Sequence, residues 1–95
     1  MENIKPIEKV NEQNDESTIV KTPFKVILFN DDEHTFDEVI AQLIKALQCT
    51  YEKARDYAFE THVNGKAVVY NGELQKCLKV SSILEEISLR TQIVS

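Results

Sequence analysis

One stretch limits what this chain can become more than any other: Thr35-Phe36-Asp37-Glu38 and the apolar positions that follow it. A Thr followed three residues later by Glu is the capping-box pattern, in which the Thr oxygen accepts from a free amide of the first turn and the Glu carboxylate reaches back to the cap. Phe36, Val39, Ile40, Leu43, Ile44 and Leu47 then recur at helical spacing and form one apolar face. Directly upstream, Phe24-Lys25-Val26-Ile27-Leu28-Phe29 is a β-rich run, read as a strand buried on most of its surface. The polar string Asn30-Asp31-Asp32-Glu33-His34 separates the two. A buried strand joined by a short polar turn to an amphipathic helix calls for a sheet with helices packed on it.

The rest of the chain fills in that architecture. Thr50, with Glu52 in the next turn, starts a second helix that runs past Ala54, Ala58 and Thr61 and stops at Asn64-Gly65, which places His62 in its last turn. Lys66–Tyr70 reads as a strand and Asn71-Gly72 as a turn. A third helix carries Leu74, Cys77, Val80, Leu84 and Ile87 on one side, and Leu89–Val94 alternates as a closing strand. The order strand, helix, helix, strand, helix, strand predicts an α+β domain: a small antiparallel three-stranded sheet with three helices. Residues 1–22 hold five acids and three lysines among scattered aliphatics, too little apolar surface to offset their ordering entropy. They are expected to form a flexible extension, leaving 23–95 as the folded core.

Composition excludes several function classes. Eleven basic residues against sixteen acidic ones give a net charge of −5, the wrong sign for a phosphate-binding surface, so no nucleic acid is expected. No stretch approaches the roughly 18–20 apolar residues of a membrane helix, and the first residues lack a basic-then-apolar signal pattern, so the chain reads as unexported and cytoplasmic. Cys49 and Cys77 lack the spacing of a zinc or redox motif and read as two reduced, part-buried thiols. With Gly65 and Gly72 the only glycines, there is no phosphate-cradling loop, and no Ser, Cys or Lys stands in a nucleophile setting. An enzyme is not expected, and neither is a cofactor.

The one dense polar group is Asn30, Asp31, Asp32 and His34 at the end of the first strand, with His62 at the end of the second helix. Three readings are open on these residues. They can be ordinary turn and helix-end chemistry, since Asx side chains close turns and a helix C-terminus favours a His. They can ligate a metal through Asp31, Asp32, His34 and His62, although no tight ligand spacing supports it. Or their oxygens and a neutral imidazole nitrogen can surround a small ammonium group.

Taken jointly, FKVILFNDDEHTFDEVI and THVNGKAVV resemble the Clp protease adaptor family, ClpS, over about residues 23–95. The shared pattern is an apolar strand running into Asn-Asp-Asp, a large residue opening the first helix with Val-Ile following, then His, two residues, and Gly-Lys-Ala. The resemblance implies a small bacterial adaptor, not an enzyme. It would bind substrate proteins by a free, bulky, hydrophobic N-terminal residue (an N-degron: Leu, Phe, Tyr or Trp) and deliver them to a Clp AAA+ protease. By position, Asn30, Asp31 and His62 would contact the α-amino group. Thr35, Phe36, Val39, Leu43, Ala58, Thr61 and Leu89 would surround the first side chain. Glu73 and Lys79 would take part in docking to the N-terminal domain of a ClpA- or ClpC-type ATPase, with the tail engaging the unfoldase, and the adaptor would act as a monomer. This sequence departs from the pattern at Phe36, where many relatives carry Met, and at Glu33-His34-Thr35, which replaces a turn containing Thr-Pro. Ala58 and Thr61 are smaller than the residues common there, and the Thr61 hydroxyl needs a partner one helical turn back. The competing reading from a different class is a protein-docking module of similar fold, like the C-terminal domain of the ribosomal stalk protein, with no pocket for an N-terminus.

Overall fold

The computed structural model describes residues 23–95; the expected extension at 1–22 lies outside the described residues. Strand β1 (Phe24–Phe29) leads through the Asn-Asp-Asp loop into helix α1 (Phe36–Leu47), followed by α2 (Tyr51–Asn64), β2 (Lys66–Gly72), α3 (Leu74–Leu84), a 3-10 turn over Glu85–Ile87 and β3 (Thr91–Val94). The sheet is antiparallel throughout, in the order β2-β1-β3. This is the α+β architecture expected from the sequence.

Local chemistry sets the ends of the first two helices. The Thr35 hydroxyl accepts from the Glu38 amide at 3.1 Å and the Glu38 carboxylate accepts from the Thr35 amide at 2.8 Å, so the capping box is complete. Thr50 caps α2 by accepting from the Lys53 amide at 3.2 Å. Helix α2 ends at Gly65, whose φ of 86° lies in the left-handed region that a Cβ disfavours. The two αL residues Gln48 and Ser88 make the other sharp exits.

Residues alternate along the sheet. Val26 and Leu28 of β1 and Ala67 and Val69 of β2 are buried, whereas Lys66 and Val68 face outward. The inner face meets α3 through Cys77, Val80 and Leu84. Helix α3 contacts all three strands, α2 flanks β2, and α1 packs chiefly against α2 and α3. Leu43, Ile40, Ala54 and Ala58 close the core between the helices. Gln42 and Thr61 are the buried polar residues among those described; Gln42 donates to the Ile83 carbonyl, in the last turn of α3, at 2.6 Å.

Two expectations need correction. Asn71-Gly72 is not a turn but the end of β2, pairing with Lys25 and Phe24. A register shift between Val26 and Ile27 keeps Val69 inward, and the ladder continues because β1 still offers partners there. A Cβ at Gly72 would lie 2.8 Å from the Tyr70 ring, which would have to shift to admit it. The third helix stops at Leu84, and Ile87 belongs to the 3-10 turn beyond it.

Candidate functional site

Three segments converge at the end of β1. The Asn30 amide donates to the Gly65 carbonyl at 2.9 Å, tying the strand end to the cap of α2. The Phe29 amide donates to the Arg90 carbonyl at 3.0 Å, tying it to the segment after the 3-10 turn. These two bonds bring His62, one turn back from Gly65, and Leu89, next to Arg90, to the loop that opens α1. Between them lies a cavity of about 470 Å³, within the size range of single small-ligand sites.

Its walls are unlike. Leu28, Phe29, Phe36, Val39, Ala58 and Leu89 supply apolar surface; Asn30, Asp31, Asp32, His34, Thr61 and His62 supply polar groups. Phe36 is 42% exposed, so its ring borders the opening rather than the floor. Thr61 is buried, and its hydroxyl donates to the Tyr57 carbonyl at 2.8 Å, the partner one turn back that an apolar setting demands. The slot therefore presents the Thr61 methyl without an unpaired hydroxyl.

Asp31 is the most heavily bonded group at the site. Its Oδ1 accepts from the Glu33 amide at 2.9 Å and the His34 amide at 3.0 Å, and its Oδ2 lies 2.8 Å from His34 Nδ1. This is the Asx-type turn expected of ordinary turn chemistry, formed in full. A carboxylate accepts about four hydrogen bonds, so capacity remains. Desolvation acts to raise the Asp31 pKa, but the Glu33 amide, the His34 ring and the His34 amide together outweigh it and hold the carboxyl below its ordinary value. His34 is raised above its ordinary value, first by its bond to Asp31 and then by the Ile87 carbonyl against its Nε2. In contrast, among the described residues neither the Asn30 side-chain amide nor the His62 ring has a hydrogen-bond partner, and both border the cavity.

Of the residues expected at a site, Asn30, Asp31, His62, Phe36, Val39, Ala58, Thr61 and Leu89 share this cavity. Leu43 does not: it is fully buried in the core, on the part of α1 that faces the other helices. Thr35 is outside the lining too, with its hydroxyl engaged in the cap. Glu73 and Lys79 are exposed on α3, Glu73 as its N-cap, and neither reaches the cavity. Leu28 and Phe29 line the wall without having been singled out; that the strand runs directly into Asn30 was the available signal. Among the described residues no group of three or more His, Cys, Asp and Glu is placed to hold a metal ion, and no helix is long and apolar enough to cross a membrane.

The sequence is similar to parts of much longer proteins. The human E3 ubiquitin-protein ligase UBR2 is 36% identical over 58 residues, which is 61% of this chain and 3% of the ligase. The Drosophila melanogaster ligase UBR1 is 36% identical over 70 residues, 73% of this chain and 4% of that protein. The chain thus spans only a few per cent of the length of these curated relatives. Among solved structures, Agrobacterium tumefaciens ClpS2 bound to L-phenylalaninamide superposes with a TM-score of 0.70 at 21% identity, covering 75% of this chain and 93% of that one, a shared fold. The profile of the ATP-dependent Clp protease adaptor protein ClpS matches residues 20–92, most of the sequence, and the chain belongs to that family.

Proposed function

We infer that the cavity binds the free N-terminus of substrate proteins whose first residue is bulky and apolar, and that the chain presents them to a Clp AAA+ protease. The observation that carries this is the pairing of unpartnered acceptors with an apolar slot: the Asn30 and His62 side chains are unpaired among the described residues and share one cavity with the Asp31 carboxylate. An α-amino group has a pKa of about 7.7–8 and is cationic near neutrality. It can donate to Asn30 and Asp31 oxygens in charge-assisted bonds and to a neutral His62 nitrogen. The apolar wall then adds roughly 1.5–3 kcal/mol for a large side chain taken out of water. Acetylation of the amine removes the charge and the donors and leaves acceptors that the bound peptide shields from water unsatisfied, at a cost of about 1–3 kcal/mol. The ligand of the structural neighbour, phenylalaninamide, has both features, a free amine and a large apolar side chain. No bond is made or broken in this role; the site binds and releases.

Delivery rests on family membership. In this reading the N-terminal domain of a ClpA- or ClpC-type ATPase is the partner, Glu73 and Lys79 lie on the docking face, and residues 1–22 engage the unfoldase. The deciding experiment is calorimetry with a peptide beginning in free Leu or Phe and with its N-acetylated twin. The free peptide binds at micromolar strength or better and the twin does not; equal binding of the two refutes the reading.

A further inference from the structure

When its ring is protonated, His34 in the loop between β1 and α1 places a cation on the carboxylate that the free-amine reading assigns to the substrate. His34 Nδ1 lies 2.8 Å from Asp31 Oδ2, and His34 Nε2 lies against the Ile87 carbonyl oxygen. Both partners are acceptors, so both ring nitrogens have to donate, and only the imidazolium carries two N–H groups. A neutral ring keeps one bond and turns a lone pair toward the other oxygen. The side chain is only 12% exposed, which limits the room for an alternative pose.

The surrounding charges favour that proton. Asp31 on the same loop and Glu38 in the first turn of α1 both raise the ring. The facing 3-10 turn contributes a carbonyl, while its two carboxylates are engaged elsewhere: Glu85 accepts from Thr91, and Glu86 from Lys45 and Gln42. From α2, His62 borders the same cavity.

Two effects of losing the proton have to be weighed. If the ring aimed the carboxylate, deprotonation would weaken the amine site. The aim, however, is set independently, because Asp31 Oδ1 is held by two backbone amides at 2.9 and 3.0 Å. What changes is the charge beside Asp31. A substrate ammonium on the same carboxylate stands within a few ångströms of the imidazolium. Two unit charges about 4 Å apart repel enough, even at the dielectric of water, to shift an equilibrium about fivefold. The charge effect wins.

We propose that His34 is an internal cation that competes with the substrate's N-terminal ammonium for Asp31, so that proton uptake at His34 and amine binding oppose each other. This rests on the free-amine reading of the cavity. It also separates two trends that a merely structural histidine would keep together. The clasp from Asp31 to Ile87 contributes its full stability below the unfolded His pKa of about 6.5 and loses it as pH rises through the raised folded value. Stability that depends on His34 therefore falls with rising pH while amine affinity rises.

The test compares the wild-type chain with His34→Gln, using a fluorescent peptide that begins with free Phe and its N-acetylated twin, from about pH 5.5 to about 8.5. Titration of the free peptide's amine is common to both proteins and cancels in the ratio of their affinities. That ratio, wild type over variant, rises about fivefold or more across the range, while wild-type melting temperature relative to the variant falls. In the wild type alone, NMR titration of the His34 ring shows its midpoint lowered by bound peptide, as reciprocity of linked equilibria requires. A ratio that is flat or falls with pH overturns the proposal, as does a His34 midpoint that the peptide leaves unchanged or raises. Discrimination against the acetylated twin with a flat ratio overturns this proposal alone; equal binding of both peptides by the wild type overturns the free-amine reading with it.

Discussion

Replacing Asp31 separates the two jobs open to its carboxylate, closing a turn and receiving an amine. In Asp31→Asn the side-chain carbonyl can still accept from the Glu33 and His34 amides, so the turn survives without the charge. Asp31→Ala removes those two bonds and the contact with His34. Net hydrogen bonds are worth about 0.5–1.5 kcal/mol, or about 1.5–3 when one partner is charged. The side chain is 25% exposed, so solvent screening favours the lower end. Asp31→Ala is thus expected to cost about 2 kcal/mol of stability and Asp31→Asn about 1 or less. Binding should not follow that order. Both variants lose the same charged acceptor and should weaken the free-amine peptide by about 1.5–3 kcal/mol, roughly 10- to 150-fold. Urea unfolding measures the first quantity and calorimetry the second. A pH series adds a check: a carboxyl held below its ordinary value stabilises the fold above the unfolded pKa of about 3.9 and loses that contribution as pH falls through the folded value. The gap between wild type and Asp31→Asn should therefore close in acid. An Asn variant that binds the peptide as the wild type does would show that Asp31 only closes a turn.

Three further substitutions probe the walls and the scaffold. Thr61→Val exchanges one hydroxyl for a methyl; the lost bond to Tyr57 and the gained apolar surface nearly offset, so unfolding free energy should change by less than about 1 kcal/mol. Calorimetry should find a peptide beginning with Leu bound about two- to fourfold more tightly, and a stability loss above about 2 kcal/mol would mean the hydroxyl does more than bond its own helix. Gly65→Ala meets no atom within 4 Å, so only the left-handed backbone opposes it; thermal unfolding should report a loss of about 1–2 kcal/mol. Leu43→Ala should cost about 2–5 kcal/mol in urea unfolding through the core void it leaves, with peptide affinity of the folded protein unchanged within about twofold; a larger loss of affinity would return Leu43 to the slot wall.

How much of this could be read from the chain depends on the range over which each feature is decided. The capping box at Thr35, the stop at Gly65 and the helical spacing of Ile40, Leu43 and Leu47 are local: a few neighbouring residues compete for the same amides and dihedrals, and the sequence by itself determined those elements. The joint pattern of Asn30-Asp31-Asp32 with His62 and Gly65-Lys66-Ala67 determined the family. Tertiary structure decided what local spacing leaves degenerate. One apolar helix face contains both Val39 and Leu43, but only the placement of α2 and α3 sends Leu43 into the core and leaves Val39 at the cavity. Asn71-Gly72 has turn chemistry, yet it stays in the ladder because β1 begins early enough to pair with it. His34 shows the same division most clearly. Its bond to Asp31, three residues away, was within reach of the sequence, whereas its partner Ile87 lies 53 residues on and is brought there only when β1 and the segment before β3 join. Both contacts can be hydrogen bonds at once only when the ring carries two protons.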